Sequence, residues 1–105
     1  MSEQARKLLV VEDDPVLLKQ LKKCFDGYEV YTAKNREDAI VELRRHVPAV
    51  VLQDLGLPPH PDGMEEGLAT LAETLRLAPH TKVVVLIDNV DQEVAMSAVA
   101  QGAYN

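Results

Sequence analysis

Cysteine and large aromatic side chains are nearly absent: the 105-residue chain has one cysteine, Cys24, no tryptophan and one phenylalanine. A single thiol can neither close an internal disulfide nor build a zinc site by itself, so a reducing, cytoplasmic setting is expected. No apolar run approaches the roughly 18 residues of a membrane span, and the first residues, MSEQARK, lead into no signal-like segment. Positive charge is scarce in one half. Residues 1–53 carry nine basic and nine acidic side chains, whereas residues 54–105 carry two and eight, within a net charge of −6. No basic stripe is available to neutralise phosphates, which excludes nucleic acid as a partner of this chain and disfavours anionic membranes. Divalent cations and basic partner surfaces fit better. Glycine is too sparse after the first apolar run for a phosphate-cradling loop, and there is neither a nucleophile elbow nor a Cys/His pair. Nucleotide hydrolysis and protease-like chemistry are thereby set aside.

What is present is enough apolar material for one core, at 47% of residues against 27% charged. Four valine-rich runs alternate with four helix-like segments. Leu8-Leu9-Val10-Val11 is followed by the polar break Glu12-Asp13-Asp14-Pro15. Leu17, Leu18, Leu21, Cys24 and Phe25 then share one face of a helix that Pro15 starts well, and Cys24 is expected in its core stripe. Residues 29–33 read as a second strand. Asn35 is an N-cap with Asp38 as a capping-box partner, and Ala39, Ile40, Leu43 and Val47 stripe a second helix closed by Pro48. Residues 49–54 form a third strand, apolar on both faces until its end, as in parallel sheets covered by helices on both sides. Three of the six prolines and three of the five glycines fall in residues 56–67, which reads as a loop. Leu68, Leu71, Ala72, Leu75 and Ala78 stripe a third helix ended by Pro79, residues 82–87 read as a fourth strand, and Val94, Ala95, Ala98 and Val99 stripe a fourth helix ending near Gly102. This alternation implies an α/β fold with a doubly wound parallel sheet.

In such a sheet ligands bind beyond the carboxyl ends of the strands, where the strand order reverses. Strand one ends at Glu12-Asp13-Asp14 and strand three at Asp54. With the order 2-1-3-4 these carboxylates converge, and convergent carboxylates repel one another unless a cation sits among them. An oxygen-only donor set of this kind suits Mg²⁺. Taken singly, Asp14 is a helix cap and Asp54 a turn former; the two motifs on one sheet edge favour a metal and anion site. His46, His60 and His80 show no ligand spacing and read as surface residues, and neither Met64 nor Met96 suggests a cofactor.

The runs Leu-Leu-Val-Val-Glu-Asp-Asp-Pro (8–15) and Val-Val-Leu-Gln-Asp-Leu-Gly-Leu-Pro (50–58), with Asp62-Gly63 and Gly102-Ala103, resemble the receiver domain of bacterial two-component response regulators. The extended loop after Asp54 is similar to that of regulators with an attached ATPase and DNA-binding output. The resemblance implies a flavodoxin-like fold and a signalling phosphoacceptor rather than an enzyme. It makes Asp54 the acceptor, fed by a sensor histidine kinase, and places Mg²⁺ on Asp13 directly, on Glu12 through water and on the carbonyl of Gly56. An output domain, transcriptional in kind, would lie outside this chain, and pairing of two copies stays open.

Two departures accompany the resemblance. Receivers place Thr or Ser at the end of the fourth strand, where this chain has Ile87, with Asn89 close by. Losing a hydrogen bond to a charged acceptor costs roughly 1.5–3 kcal/mol. Receivers also continue into a fifth strand bearing a lysine and a fifth helix, whereas Asn105 is the last residue here and Tyr104 comes too early for the switch aromatic. Residues 1–105 are accordingly expected to be a receiver domain truncated at its C-terminus, with the fifth strand and helix missing. The competing expectation is a receiver-like interaction module that phosphorylation does not switch.

Overall fold

Alternation along the first strand decides the architecture. In the computed structural model, which describes residues 6–55, 57, 65–86, 100 and 102, β1 (Arg6–Val11) buries Leu8 and Val10 on one face of the sheet and Leu9 and Val11 on the other. Successive strand side chains point to opposite faces, so four buried aliphatics in a row demand cover on both. Burying each such side chain contributes roughly 1.5–3 kcal/mol. The further elements are α1 (Pro15–Cys24), β2 (Tyr28–Ala33), α2 (Arg36–His46), β3 (Val50–Asp54), α3 (Glu65–Leu77) and β4 (Lys82–Leu86). All pairings are parallel, in the expected order β2-β1-β3-β4. Leu18, Leu21 and Phe25 pack with Leu8, Val10 and Leu52 on the α1 side. On the other face Ala39, Leu43 and Leu71 pack with Leu9, Val11, Val51 and Val83.

The helix starts are written locally. Asp14 is extended, and its Oδ1 accepts from the backbone N–H of Val16 at 2.9 Å and of Leu17 at 3.4 Å. Its role as a cap is as expected. Asn35 Oδ1 accepts from the Asp38 N–H at 2.8 Å, while Asp38 answers with its carboxylate on the Asn35 amide at 3.3 Å.

Five sequence expectations are corrected. The loop does not extend to Gly67, because α3 begins at Glu65 and takes Glu65, Glu66 and Gly67 into its first turn. Ala72 is exposed, and the face of α3 toward the sheet is completed instead by Thr70 and Thr74 beside Leu71. Thr70 can sit there because its hydroxyl donates to the Glu66 carbonyl at 2.7 Å, which satisfies it within the helix. Cys24 is exposed: the inward face follows residues 18, 21 and 25, and residue 24 is turned about 100° from residue 25. It lines an open groove of about 460 Å³ with Arg6, Phe25, Asp26, Gly27 and Tyr28 at the opposite end of the strands from Asp54. His46 is not a free surface residue; its ring stacks on Tyr31 at 3.5 Å, and its Nε2 lies 3.0 Å from Glu42 Oε2. The Tyr31 phenol is held above its ordinary pKa by its hydrogen bond to Glu29. His80, as expected, is exposed, and His60 lies outside the described residues.

Val47 is the fifth correction. Rather than joining the stripe of α2, it is 69% exposed and ends the helix in the left-handed conformation, φ 45°, donating its N–H to the Leu43 carbonyl at 2.9 Å. A β-branched residue is strained there, by roughly 1–2 kcal/mol. Val47→Gly is therefore expected to raise the stability by about 1 kcal/mol, net of the entropy glycine adds to the unfolded chain. Urea unfolding checks this, and an unchanged or lower midpoint would contradict the strain.

The fourth helix of the sequence reading falls largely outside the described residues, as do Ile87, Asn89 and Met96. Ala100 is helical, and Gly102 follows in a turn at φ 110°, a conformation that suits glycine at a helix end.

Candidate functional site

β1 and β3 deliver their last residues to the same edge. Val11 pairs with Gln53 in the ladder, so Glu12 and Asp54 are the next residues out on adjacent strands. The Glu12 N–H still donates to the Ala33 carbonyl of β2 at 2.9 Å, which fixes its backbone while its side chain turns into the space beside β3. One carboxylate oxygen from each of Glu12, Asp13 and Asp54 lies within 4.8 Å of the others. The three residues of the sequence reading are brought together as expected; the fourth, Gly56, lies outside the described residues.

Burial sets the electrostatics. Glu12 is 3% exposed, and Asp13 and Asp54 are half-buried. Loss of solvation, followed by the negative charge of Asp54, pushes the Glu12 carboxyl up to about 7 from 4.5; the Asp14 N–H, 3.3 Å from Oε1, pulls the other way. Glu12 Oε2 is buried, and no hydrogen-bond donor reaches it among the described residues. A cation answers all of these features at once by offsetting the mutual repulsion and supplying the missing electrophilic partner. Three carboxylate groups, with no nitrogen or sulfur donor beside them among the described residues, fit a hard ion such as Mg²⁺, which takes few protein ligands and keeps water on its other positions.

Two residues behind the site carried no functional weight in the sequence. Gln53 is fully buried, and its Nε2 donates to the Gly67 carbonyl at 2.6 Å. Gly67 packs so closely on Leu55 that a methyl group there would overlap the Leu55 backbone. A polar residue interrupting an apolar strand was the available signal for the first, and a glycine directly before a helical stripe for the second.

Comparison with known proteins agrees with this geometry. Residues 8–105 match the family described as the response regulator receiver domain. The chain is 32% identical over 107 residues to the transcriptional regulatory protein GlrR of Escherichia coli, covering all of this chain and 23% of that protein. It is 31% identical over 104 residues to the alginate biosynthesis transcriptional regulatory protein AlgB of Pseudomonas aeruginosa, covering 97% and 22%. The chain thus spans about a fifth of the length of these curated relatives. Among solved structures, NtrX from Brucella abortus superposes with a TM-score of 0.84 at 28% identity, covering 96% of this chain and 22% of that one. A CheY-like receiver domain protein from Methanospirillum hungatei gives a TM-score of 0.83 at 24% identity, covering 95% and 78%, which bears on the fold alone. With the parallel sheet, its strand order and the three carboxylates at its carboxyl edge in place, the chain belongs to the response regulator receiver domains of two-component signalling, and its pocket of Glu12, Asp13 and Asp54 fits a phosphoacceptor site.

Proposed function

We propose that Asp54 is the phosphoacceptor and that Glu12, Asp13, Asp54 and the backbone carbonyl of Gly56 hold Mg²⁺. The carrying observation is the convergence of the three carboxylates within 4.8 Å at the end of adjacent strands, with Glu12 Oε2 buried and lacking a donor among the described residues. An Asp54 oxygen attacks the phosphorus of a phosphohistidine on a partner histidine kinase; the P–N bond breaks and an aspartyl phosphate forms. Mg²⁺, when bound, offsets charge on the transferring phosphoryl oxygens. Asp54 supplies the nucleophile, while Glu12 and Asp13, held by β1 and the cap of α1, present negative charge toward the cation. The domain assists its own phosphotransfer and turns over no other substrate.

The names of the relatives support a larger setting in which this receiver controls a transcriptional output outside residues 1–105, and the single free thiol fits a cytoplasmic regulator. No described helix is long and apolar enough to cross a membrane. The identity of residue 87 favours a second reading, in which the domain binds partners without a phosphorylation switch, since isoleucine has no hydroxyl to bind a phosphoryl group.

Intact-protein mass spectrometry after incubation with acetyl phosphate and Mg²⁺ separates the two. The expected result is one phosphoryl adduct that disappears with EDTA and in Asp54→Ala. Mg²⁺ binding, followed by titration, should be lost from the millimolar range in Asp13→Asn. Binding of Mg²⁺ without any adduct would overturn the phosphoacceptor assignment in favour of the interaction module.

A further inference from the structure

Gln53 poses a problem that stability does not answer. It is fully buried, on the same face of β3 as Val51, which packs in one cluster with Leu57, Leu71 and Val83. An aliphatic residue would continue the pattern of β3, whereas a buried amide is costly unless it is hydrogen-bonded. Only half of it is: Nε2 donates to the Gly67 carbonyl at 2.6 Å, and Oε1 has no partner among the described residues. A group half satisfied in the core is a poor stabiliser. Its one bond reaches across from β3 to the first turn of α3.

That turn holds the chain on the other side of Asp54 as well. Gly67, without a Cβ, rests directly on the backbone of Leu55. Glu66 in the same turn is paired with Arg36, the first residue of α2, at 3.3 Å, and its carbonyl accepts from Thr70. The residues before and after Asp54 are thus tied to a single turn of α3, and that turn is tied to the start of α2.

We infer that Gln53 is a positioning residue: its amide bond to Gly67 fixes Asp54 against Glu12 and Asp13 and couples the state of the acidic pocket to the first turn of α3. This rests on the reading of that pocket as the Mg²⁺ and phosphoacceptor site. Coupling of this kind is reciprocal, so an ion that orders Asp54 must also tighten α3, and loosening α3 must weaken the ion's hold.

Nuclear magnetic resonance on the isotopically labelled chain tests it. In the wild type, Mg²⁺ should shift the side-chain NH₂ signals of Gln53 and slow amide exchange at Thr70 and Leu71. Gln53→Met keeps the length and removes the donor. It should lose that Mg²⁺-dependent protection, bind Mg²⁺ about fivefold more weakly and accept phosphoryl from acetyl phosphate about fivefold more slowly per folded molecule, the scale of one hydrogen bond. A purely structural Gln53 would lower the melting temperature and leave all three readouts unchanged, which overturns the inference. The wild-type limb stands without the variant, since Gln53 signals that ignore Mg²⁺ overturn it too. Asp54→Asn separates the readings: an adduct that persists there sinks the phosphoacceptor assignment, whereas the exchange results judge the coupling alone.

Discussion

Replacing Glu12 by Gln should make the metal-free domain markedly more stable at pH 7.5 and leave it unchanged near pH 4.5. The Glu12 carboxyl titrates at about 7 in the folded chain against 4.5 as its ordinary value, because burial and then the Asp54 charge oppose its ionisation. Below 4.5 both states hold the proton and the group is neutral in stability. Between 4.5 and 7 the unfolded chain gives up a proton that the folded chain keeps, so stability falls as pH rises, and above 7 the loss is complete. At 1.36 kcal/mol for each pH unit of difference the loss is about 3 kcal/mol. Glu12 itself is only 3% exposed, but Asp13 and Asp54 beside it are half-buried and leave the pocket edge to solvent, so about 3 kcal/mol is an upper figure. Glutamine keeps the shape without the charge, so in EDTA at pH 7.5 the variant should melt on the order of 10 °C higher. Groups outside the pocket are common to both proteins, so the difference between their stability curves belongs to Glu12 together with the Asp54 charge it faces.

Mg²⁺ should narrow that gap. A cation binds the ionised pocket of the folded chain and stabilises it by mass action, and the wild type carries one more charge for it than Glu12→Gln. Differential scanning calorimetry across pH 4.5–8, with EDTA or with Mg²⁺, checks both halves. Parallel curves for the two proteins in EDTA would show that Glu12 is not penalised by its burial.

Legibility in the sequence followed the range of the forces involved. Leu8 to Val11 and Val50 to Leu52 announced strands buried on both faces, and Asp14 and Asn35 announced helix starts, because alternation and capping are written in neighbouring residues. The pocket was legible for a related reason. A parallel sheet places the ends of β1 and β3 side by side, so Glu12, Asp13 and Asp54 were brought together by topology rather than by any contact that had to be foreseen. Position within a helical turn was harder. Cys24 and Ala72 fit an apolar stripe by composition, yet a rotation of about 100° turns each away from the sheet, while Thr70 and Thr74 take inward places that composition assigns to solvent. Val47 ended α2 in the left-handed conformation against its own preference, and nothing in the stripe pattern signals that. The tie of Gln53 and Leu55 to Gly67 joins residues 12 to 14 apart, and only the folded chain shows it.

That tie sets the remaining large effect, expected for Gly67→Ala. Inside a helix alanine is favoured over glycine by about 1 kcal/mol, so propensity alone forecasts a more stable protein. The packing forecasts the opposite. A Cβ at position 67 would occupy the space of the Leu55 carbonyl oxygen and Cα, which are backbone atoms with no rotamer in which to retreat. Leu55 is itself 3% exposed and directly follows β3, so it cannot shift outward without pulling on Asp54. Overpacking of this kind costs typically 1–3 kcal/mol and more where backbone must move. After the helical gain is subtracted, a net loss of about 2 kcal/mol is expected, or roughly 8–16 °C in melting temperature for a domain of this size. Because relief of the overlap displaces the residue after Asp54, Mg²⁺ affinity should fall as well, beyond what the unfolded fraction accounts for. Calorimetry and Mg²⁺ titration of the same preparation read both quantities. A melting temperature at or above that of the wild type would mean that α3 does not approach Leu55 this closely, and the placement of Asp54 by that turn would go with it.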